Sequence, residues 1–279
     1  MDPLIRRISA WDGLPLHVRV WDGDPSLPPL LCLPGLVRTG GDFEAVVPAI
    51  ARGRRAVTLD YVGRGDSGWT RDVARCSPEA CLRDVMDVCA ALHIHRAVAI
   101  GTSFGGLLAM GLAAASPSLL RAAVLNDIGP GIGTEGASFV RDFVGFDPAL
   151  DSLEACVTML RARLPPLSLD SDADWRRMAE LTYRRGDDGR YHPLWDIRLA
   201  DTLDAASRNL WPLWGALAHV PVLLVRGGVS NILLPDTVER MRSERPDMRL
   251  VTLPDIGHAP ILTEAPALAA VQSFLEATA

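Results

Sequence analysis

No stretch of this sequence stays apolar for the roughly 18 residues that a membrane span needs, because Gly, Pro or charge interrupts every run well before that. The first residues, MDPLIRRISAWDG, hold no apolar h-region and no small-residue cleavage site, so no secretory signal is expected. Like charges form no block either. The formal net charge is a mild −6 with arginines spread along the chain, so neither nucleic acid nor a membrane is expected as a partner. The five cysteines (Cys32, Cys76, Cys81, Cys89, Cys156) contain no CxxC pair and are odd in number. They are expected as reduced core thiols of a cytoplasmic protein. No two histidines have the zinc-binding HExxH spacing, and there are no repeats or low-complexity tracts. No metal or cofactor is expected.

What remains is an ordinary soluble globule, 48% hydrophobic and 22% charged, long enough to bury a sizeable core. Short β-rich runs alternate with helical stretches from residue 29 onward: LLCLP then a helix from Asp42, RRAVTLD then PEACLRDVMDVCAALH, AVAIG then a helix after Ser103, and AAVLND. Such alternation implies a mostly parallel sheet covered by helices on both faces. Ahead of it, LIRRISA and LPLHVRVWD, joined by a WDG turn, read as an antiparallel edge hairpin. The rhythm fails between residues 130 and 218, where GPGIGTEG opens a region of helical patterns, paired prolines and a turn-like GDDGR. It resumes with VPVLLVRG, a helix from Pro235, MRLVTLP and a final helix near 264–277. The expected division is a core of residues 1–129 and 219–279 with an inserted helical cap at 130–218.

Directly after the strand AVAIG and before a helix stands G-x-S-x-G, as Gly101-Thr102-Ser103-Phe104-Gly105. A turn this sharp needs small neighbours, and it lifts a hydroxyl to the carboxyl edge of the sheet. A serine hydroxyl is a poor nucleophile unless a base removes its proton, and the base needs an orienting partner. His258 follows a late strand in LPDIGHAP, where Gly257 lets a loop carry an imidazole over that edge. The other five, His17, His93, His95, His192 and His219, read as surface or packed side chains. For the oxyanion, two backbone N–H groups are expected: that of Phe104, next to the nucleophile, and that of Leu36 in the Pro34-Gly35-Leu36 turn.

With LCLPGL, DYVGRGDSG, GTSFGG, LNDIGP and GHAP in this order, the chain resembles the α/β-hydrolase superfamily over nearly its whole length. The resemblance implies an eight-stranded, mostly parallel sheet flanked by helices, with a cap after the sixth strand and Asp60, Gly63, Gly65 and Ser67 shaping a structural loop. Relatives usually carry His-Gly where this chain has Pro34-Gly35. They also take an acid from the loop after VPVLLVRG, commonly as Ser-Asp, where this chain has Ser230-Asn231. An asparagine can accept the histidine's Nδ1–H but brings no charge for the imidazolium. Three explanations stand. The acid has moved to Asp127 at the end of AAVLND, although that residue also suits a cap on the insertion's first turn; or Asn231 orients His258 in a slow enzyme or a receptor; or Asn231 is an introduced exchange that traps substrate.

The implied chemistry is hydrolysis of a small, mostly apolar carboxylic ester, lactone or related acyl bond through an acyl-enzyme on Ser103. Carbon–carbon bond hydrolysis of an aromatic ring-cleavage product and a non-catalytic ligand-binding module are the alternatives. Serine at the elbow argues against dehalogenase or epoxide hydrolase chemistry, which uses aspartate there. Phe139, Trp195 and Trp211 of the insertion are expected to line a pocket for the small-molecule substrate, although half or more of its aromatics are expected to pack instead. Arg163, Arg184, Arg185 and Arg198 are candidates to hold a substrate carboxylate.

Overall fold

The computed structural model describes residues 2–203 and 209–278; residues 204–208 of the expected cap lie outside the described residues. Strands β1 (Leu4–Ser9) and β2 (Pro15–Trp21) form the expected antiparallel hairpin, turning at Gly13, whose φ of 87° only glycine adopts freely. The strands β3 (Leu30–Leu33), β4 (Ala56–Leu59), β5 (Ala97–Thr102) and β6 (Leu120–Asn126) follow. Within the insertion lie two short strands, β7 (Tyr183–Arg185) and β8 (Tyr191–Pro193), and beyond it β9 (Val222–Gly227) and β10 (Arg249–Leu253). Eight strands make one sheet in the order β1-β2-β4-β3-β5-β6-β9-β10, parallel except at β2 and its two neighbours' pairings with it.

Between β3 and β4 the chain makes a 3-10 turn over Gly40–Phe43 and a short helix α1 (Val47–Ile50), rather than one helix from Asp42. Gly40 and Gly41 disfavour an α-helix, and the Thr39 side chain takes up the Gly41 N–H instead. Helix α2 (Pro78–Ala91) starts with Ser77 accepting the Ala80 N–H and Pro78 at the first helical position, where the missing N–H costs nothing. Helix α3 (Phe104–Ala115) is apolar all round because it is buried against β3, β5 and β6 on one side and other helices on the rest. The insertion supplies α4 (Thr134–Val144), α5 (Leu153–Arg163), α6 (Asp172–Glu180) and α7 (Trp211–Ala216), and the core ends with α8 (Pro235–Glu244) and α9 (Ala265–Ala277).

The strands alternate sides cleanly. Leu31 and Leu33 of β3 join the core that includes α2, α3 and the inserted segment, whereas Leu30 and Cys32 join the core that includes α1 and α9. Helices therefore cover both faces, as unbroken apolar strands require. All five cysteines are buried free thiols, and burial pushes those of Cys81 and Cys156 up to about 11. Among the described residues no helix is long and apolar enough to cross a membrane.

The insertion is not purely helical. β7 and β8 pair in an antiparallel hairpin around the GDDGR turn, and Gly189 takes a φ of 82° there. A stack of Phe139, Phe143 and Trp195 fills the inserted segment's interior, with centroids 6.0 and 5.6 Å apart. It meets the core at loops on the carboxyl edge. Gly65 N–H donates to Leu194 (2.7 Å), Asp196 N–H to Gly63 (2.9 Å) and Gly257 N–H to Pro166 (2.7 Å).

Candidate active site

In this strand order, β3 runs beside both β4 and β5, so the chain reverses its direction of sheet growth between β3 and β5. The loops after those two strands diverge to opposite faces and leave a crevice at their carboxyl ends. Ser103 sits at that point, between β5 and α3, with φ 52° and ψ −117°. This is a region that side-chain-bearing residues occupy at a cost of about 1–3 kcal/mol, and one that recurs where function requires it. The flanking glycines make it possible. A Cβ at Gly105 would stand 2.0 Å from the Leu33 carbonyl oxygen, and one at Gly101 would stand 2.4 Å from the Gly105 backbone. The elbow therefore lies tight against the end of β3, next to the Pro34-Gly35-Leu36 turn. Because Phe104 is the first helical residue, its N–H has no acceptor within α3.

His258 reaches the serine from the loop after β10. Its Nε2 lies 2.8 Å from Ser103 Oγ and its Nδ1 lies 2.7 Å from Asp127 Oδ2, with Asp127 fully buried. Asp127 directly follows β6 and has a φ of 54°, a left-handed conformation that Asp tolerates better than most residues. Its other oxygen, Oδ1, accepts the Gly227 N–H at 2.8 Å, and its own N–H donates to Val225 at 2.8 Å. Both anchors belong to β9, the neighbouring strand.

Asn231 is exposed, and Nδ1 of His258 has Asp127 as its partner. Ser230 instead shapes the loop, its hydroxyl accepting the N–H groups of Ile232 and Leu233 at 3.2 and 3.3 Å. Asn126 was not singled out from the sequence, yet its amide nitrogen donates to Thr102 Oγ1 (3.0 Å) and to the Pro260 carbonyl (2.8 Å). One side chain thus ties the residue before Ser103 to the loop that carries His258. Its signal was its place in LND, beside the candidate acid.

The Asp60 loop is structural, as the resemblance implied. Asp60 accepts from Arg19 (2.9 Å), Gly40 N–H (2.8 Å) and Asp66 N–H (3.0 Å), and Ser67 donates to the Asp60 carbonyl. His17, Asp60 and Asp66 also come close enough to suggest a cation site. Arg19 and Arg184 already neutralise the two carboxylates, at 2.9 and 2.7 Å. Burial pushes the His17 imidazole down, toward its neutral form.

The aromatic candidates separate. Trp195 is buried, its indole N–H donating to Val144 at 2.9 Å, and Trp211 lies under the Arg240 guanidinium of α8, 3.5 Å from the ring centroid. Packing therefore occupies both of these rings, while Phe139 is half-buried and stacked on Phe143. Of the candidate arginines, Arg184 pairs with Asp66 and Arg198 with Asp196. Arg185 donates to Gly189, and Arg163 lies over the rings of Phe143 and Phe146. Two surface cavities, of about 280 and 500 Å³, are lined by residues of the β9–β10 region, α8 and α9; neither lining includes Ser103, His258 or Asp127.

Comparison with known proteins agrees with this architecture. The family model described as alpha/beta hydrolase fold matches residues 28–265. The chain is 31% identical over 264 residues to the 3-hydroxybutyrate-oligomer hydrolase of Cupriavidus necator, covering 90% of each. It is 30% identical over 252 residues to the sn-1-specific diacylglycerol lipase ABHD11 of Mus musculus, covering 88% of this chain and 80% of that one. A crystal structure of an alpha/beta hydrolase from Novosphingobium aromaticivorans superposes with a TM-score of 0.92 at 40% identity, covering 99% of this chain and 98% of that one. The chain belongs to the α/β-hydrolase fold family.

Proposed function

We propose that this protein hydrolyses a small, mostly apolar carboxylic ester, lactone or related acyl bond, with Ser103 as nucleophile, His258 as general base and Asp127 as the charged partner of His258. The observation that carries this reading is the continuous Asp127–His258–Ser103 chain of hydrogen bonds at 2.7 and 2.8 Å. In it, His258 takes the Ser103 proton as Oγ attacks the acyl carbon, and then returns it to the leaving oxygen. Asp127 holds the imidazole in the tautomer that leaves Nε2 free to accept, and balances the imidazolium. The N–H groups of Leu36 and Phe104 receive the oxyanion. Water, activated by the same His258, then releases the acid from Ser103.

The Cupriavidus necator relative is named as a hydrolase of 3-hydroxybutyrate oligomers, whose units are joined by ester bonds, and the mouse relative as a lipase. Both names favour ester cleavage over carbon–carbon cleavage here. The ligand-binding alternative rested on Asn231 alone, and a carboxylate at Nδ1 removes its motive. The test is p-nitrophenyl butyrate turnover together with labelling by a fluorophosphonate probe. The wild type is expected to give a burst and a single label on Ser103, and Ser103→Ala to lose the label and on the order of 10⁶ in kcat. Wild-type protein that neither turns over esters nor takes the label would refute the reading.

A further inference from the structure

We infer that Arg64 is a positioning residue for the oxyanion hole, fixing the turn that carries one N–H donor and packing against the side chain of the residue that carries the other. This rests on the proposed acyl-enzyme reading and adds a role outside the three residues of the hydrogen-bonded chain.

Arg64 lies in the loop after β4 and is fully buried. Its Nε donates to the Leu36 carbonyl at 2.9 Å and its Nη1 to the Val62 carbonyl at 2.7 Å, while Nη2 is buried with no partner. Three residues earlier, the buried Tyr61 donates its hydroxyl to the Pro34 carbonyl at 3.1 Å. Burial holds the Tyr61 phenol well above its ordinary range, so it stays a donor. The peptide between those two tethers is Gly35–Leu36, whose N–H is the expected oxyanion donor. With the carbonyls on either side held from the same loop, this peptide plane has little freedom to rotate.

The second donor is reached through its side chain. The Phe104 ring meets the Tyr61 ring edge-on, centroids 5.6 Å apart at 87°, and the Arg64 guanidinium lies 5.9 Å from the Phe104 centroid and 5.7 Å from that of Tyr61. Such cation–π contacts and carbonyl acceptors offset part of the cost of burying the charge. No carboxylate among the described residues forms a salt bridge with it. Asp196 acts on it from a distance but is itself paired with Arg198 at 2.5 Å, and the Cys81 thiol 3.9 Å from Nη1 is held neutral by a pKa raised by burial to about 11.

Burying a cation that no carboxylate pairs is unfavourable, and an apolar side chain of similar volume would avoid that penalty. The charge has a use where negative charge develops, because in a water-poor site a fixed cation is felt strongly and needs no rearrangement during the reaction. The loop is also braced from outside, since its Gly65 N–H donates to the Leu194 carbonyl of the opposite segment and its Gly63 carbonyl accepts the Asp196 N–H from that segment. The sequence contains no lysine, so every permanently cationic side chain is a guanidinium; a lysine at residue 64 would keep the charge and lose the forked donor.

The experiment compares the full chain with Arg64→Met, Arg64→Lys and Tyr61→Phe. It reads kcat and KM on p-nitrophenyl butyrate, the affinity for an aryl trifluoromethyl ketone that forms a tetrahedral adduct with Ser103, and Tm. Arg64→Met is expected to lose about 30-fold or more in kcat with KM within about twofold, and ketone affinity should fall by a similar factor. Arg64→Lys should recover part of both losses, and Tyr61→Phe should lose about fivefold. A folded Arg64→Met with kcat within threefold of wild type overturns the inference, as does a loss confined to KM with ketone affinity unchanged. Should Arg64→Met fail to fold, wild-type kcat and ketone affinity in both other variants overturn it. A wild type that takes the fluorophosphonate label separates that failure from failure of the hydrolase reading, which an unlabelled wild type would sink together with this one.

Discussion

β6 and β9 are neighbours in the sheet, and each is followed by a residue that the sequence offers as the partner of His258, Asp127 after β6 and Asn231 after β9. After β6, Asp127 is fully buried, takes a left-handed backbone conformation and meets His258 at 2.7 Å. After β9, Asn231 is exposed and its neighbour Ser230 spends its hydroxyl on closing the loop. Yet β9 still contributes, because the Gly227 N–H at its end donates to Asp127 Oδ1. The role has divided between adjacent strands, with the charge on one and the group that orients that charge on the other. The fold encloses the Asp127 carboxylate at Nδ1 of His258 and leaves the Asn231 side chain, beyond the adjacent strand end, exposed.

The largest effect expected from breaking this comparison is at Asp127. Asp127→Asn removes the charge, lets the amide favour the wrong imidazole tautomer, and should lower kcat about 10⁴-fold with little change in KM. That is near 5.5 kcal/mol of transition-state stabilisation. Restoring a carboxylate on the other strand end should not help. The double variant Asp127→Asn/Asn231→Asp is expected to remain within threefold of Asp127→Asn on p-nitrophenyl butyrate, and recovery of a hundredfold or more would show that β9 can still charge the histidine.

A smaller effect is expected at Asn126, which joins β6 to Thr102, the residue before Ser103, and to Pro260 in the loop that carries His258. Asn126→Ala leaves the buried Pro260 carbonyl without the donor at 2.8 Å and frees Thr102. A cost of about 1–3 kcal/mol in urea unfolding is expected, with about a tenfold fall in kcat as His258 loses its fixed approach. Unchanged stability and turnover would show that Asp127 alone aligns the loop.

The apolar runs of β3, β4, β5, β6 and β9 were legible in the sequence because strands buried on both faces leave uninterrupted hydrophobic segments. The largely exposed β1 and the alternating β2 were legible from the WDG turn that joins them, and β10 from its place in the resumed alternation. Ser103 and His258 were legible for a different reason: a sharp elbow needs Gly101 and Gly105, and a mobile-looking glycine stands before the imidazole. The choice between Asp127 and Asn231 was not, because Asp127 directly follows β6 and Asn231 lies in the loop after β9, two strands that end at the same edge, and only the fold decides which side chain is enclosed. The β7–β8 hairpin was half visible, as the GDDGR turn between YRR and YHP, but three-residue strands carry too few residues for a period to show. The contacts of Tyr61 and Arg64 with the Pro34-Gly35-Leu36 turn were hidden inside a loop recognised for its glycines, since a side chain bonding carbonyls 27 or 28 positions away leaves no local pattern.

Ser230→Ala isolates the loop-closing role of the β9 end. It removes one hydroxyl that accepts two N–H groups, so stability should fall by about 1 kcal/mol while kcat holds within twofold. A loss of turnover much larger than that would give Ser230 a part in the relay that its contacts do not indicate.

The smallest expected effect is at Asn231 itself. Gly133 and Gly136, where the inserted segment begins, approach the Asn231 carbonyl so closely that a Cβ on either would stand 2.3 or 2.5 Å from its oxygen. The backbone is therefore fixed from one side, and the side chain faces solvent. A carboxylate added there would keep its water and be screened by salt, so its pull on an imidazolium already paired with Asp127 is weak. Asn231→Asp should leave kcat within about twofold and stability within about 0.5 kcal/mol of wild type. A tenfold gain in kcat would reverse the comparison of the two strand ends and make β9 the source of the charge after all.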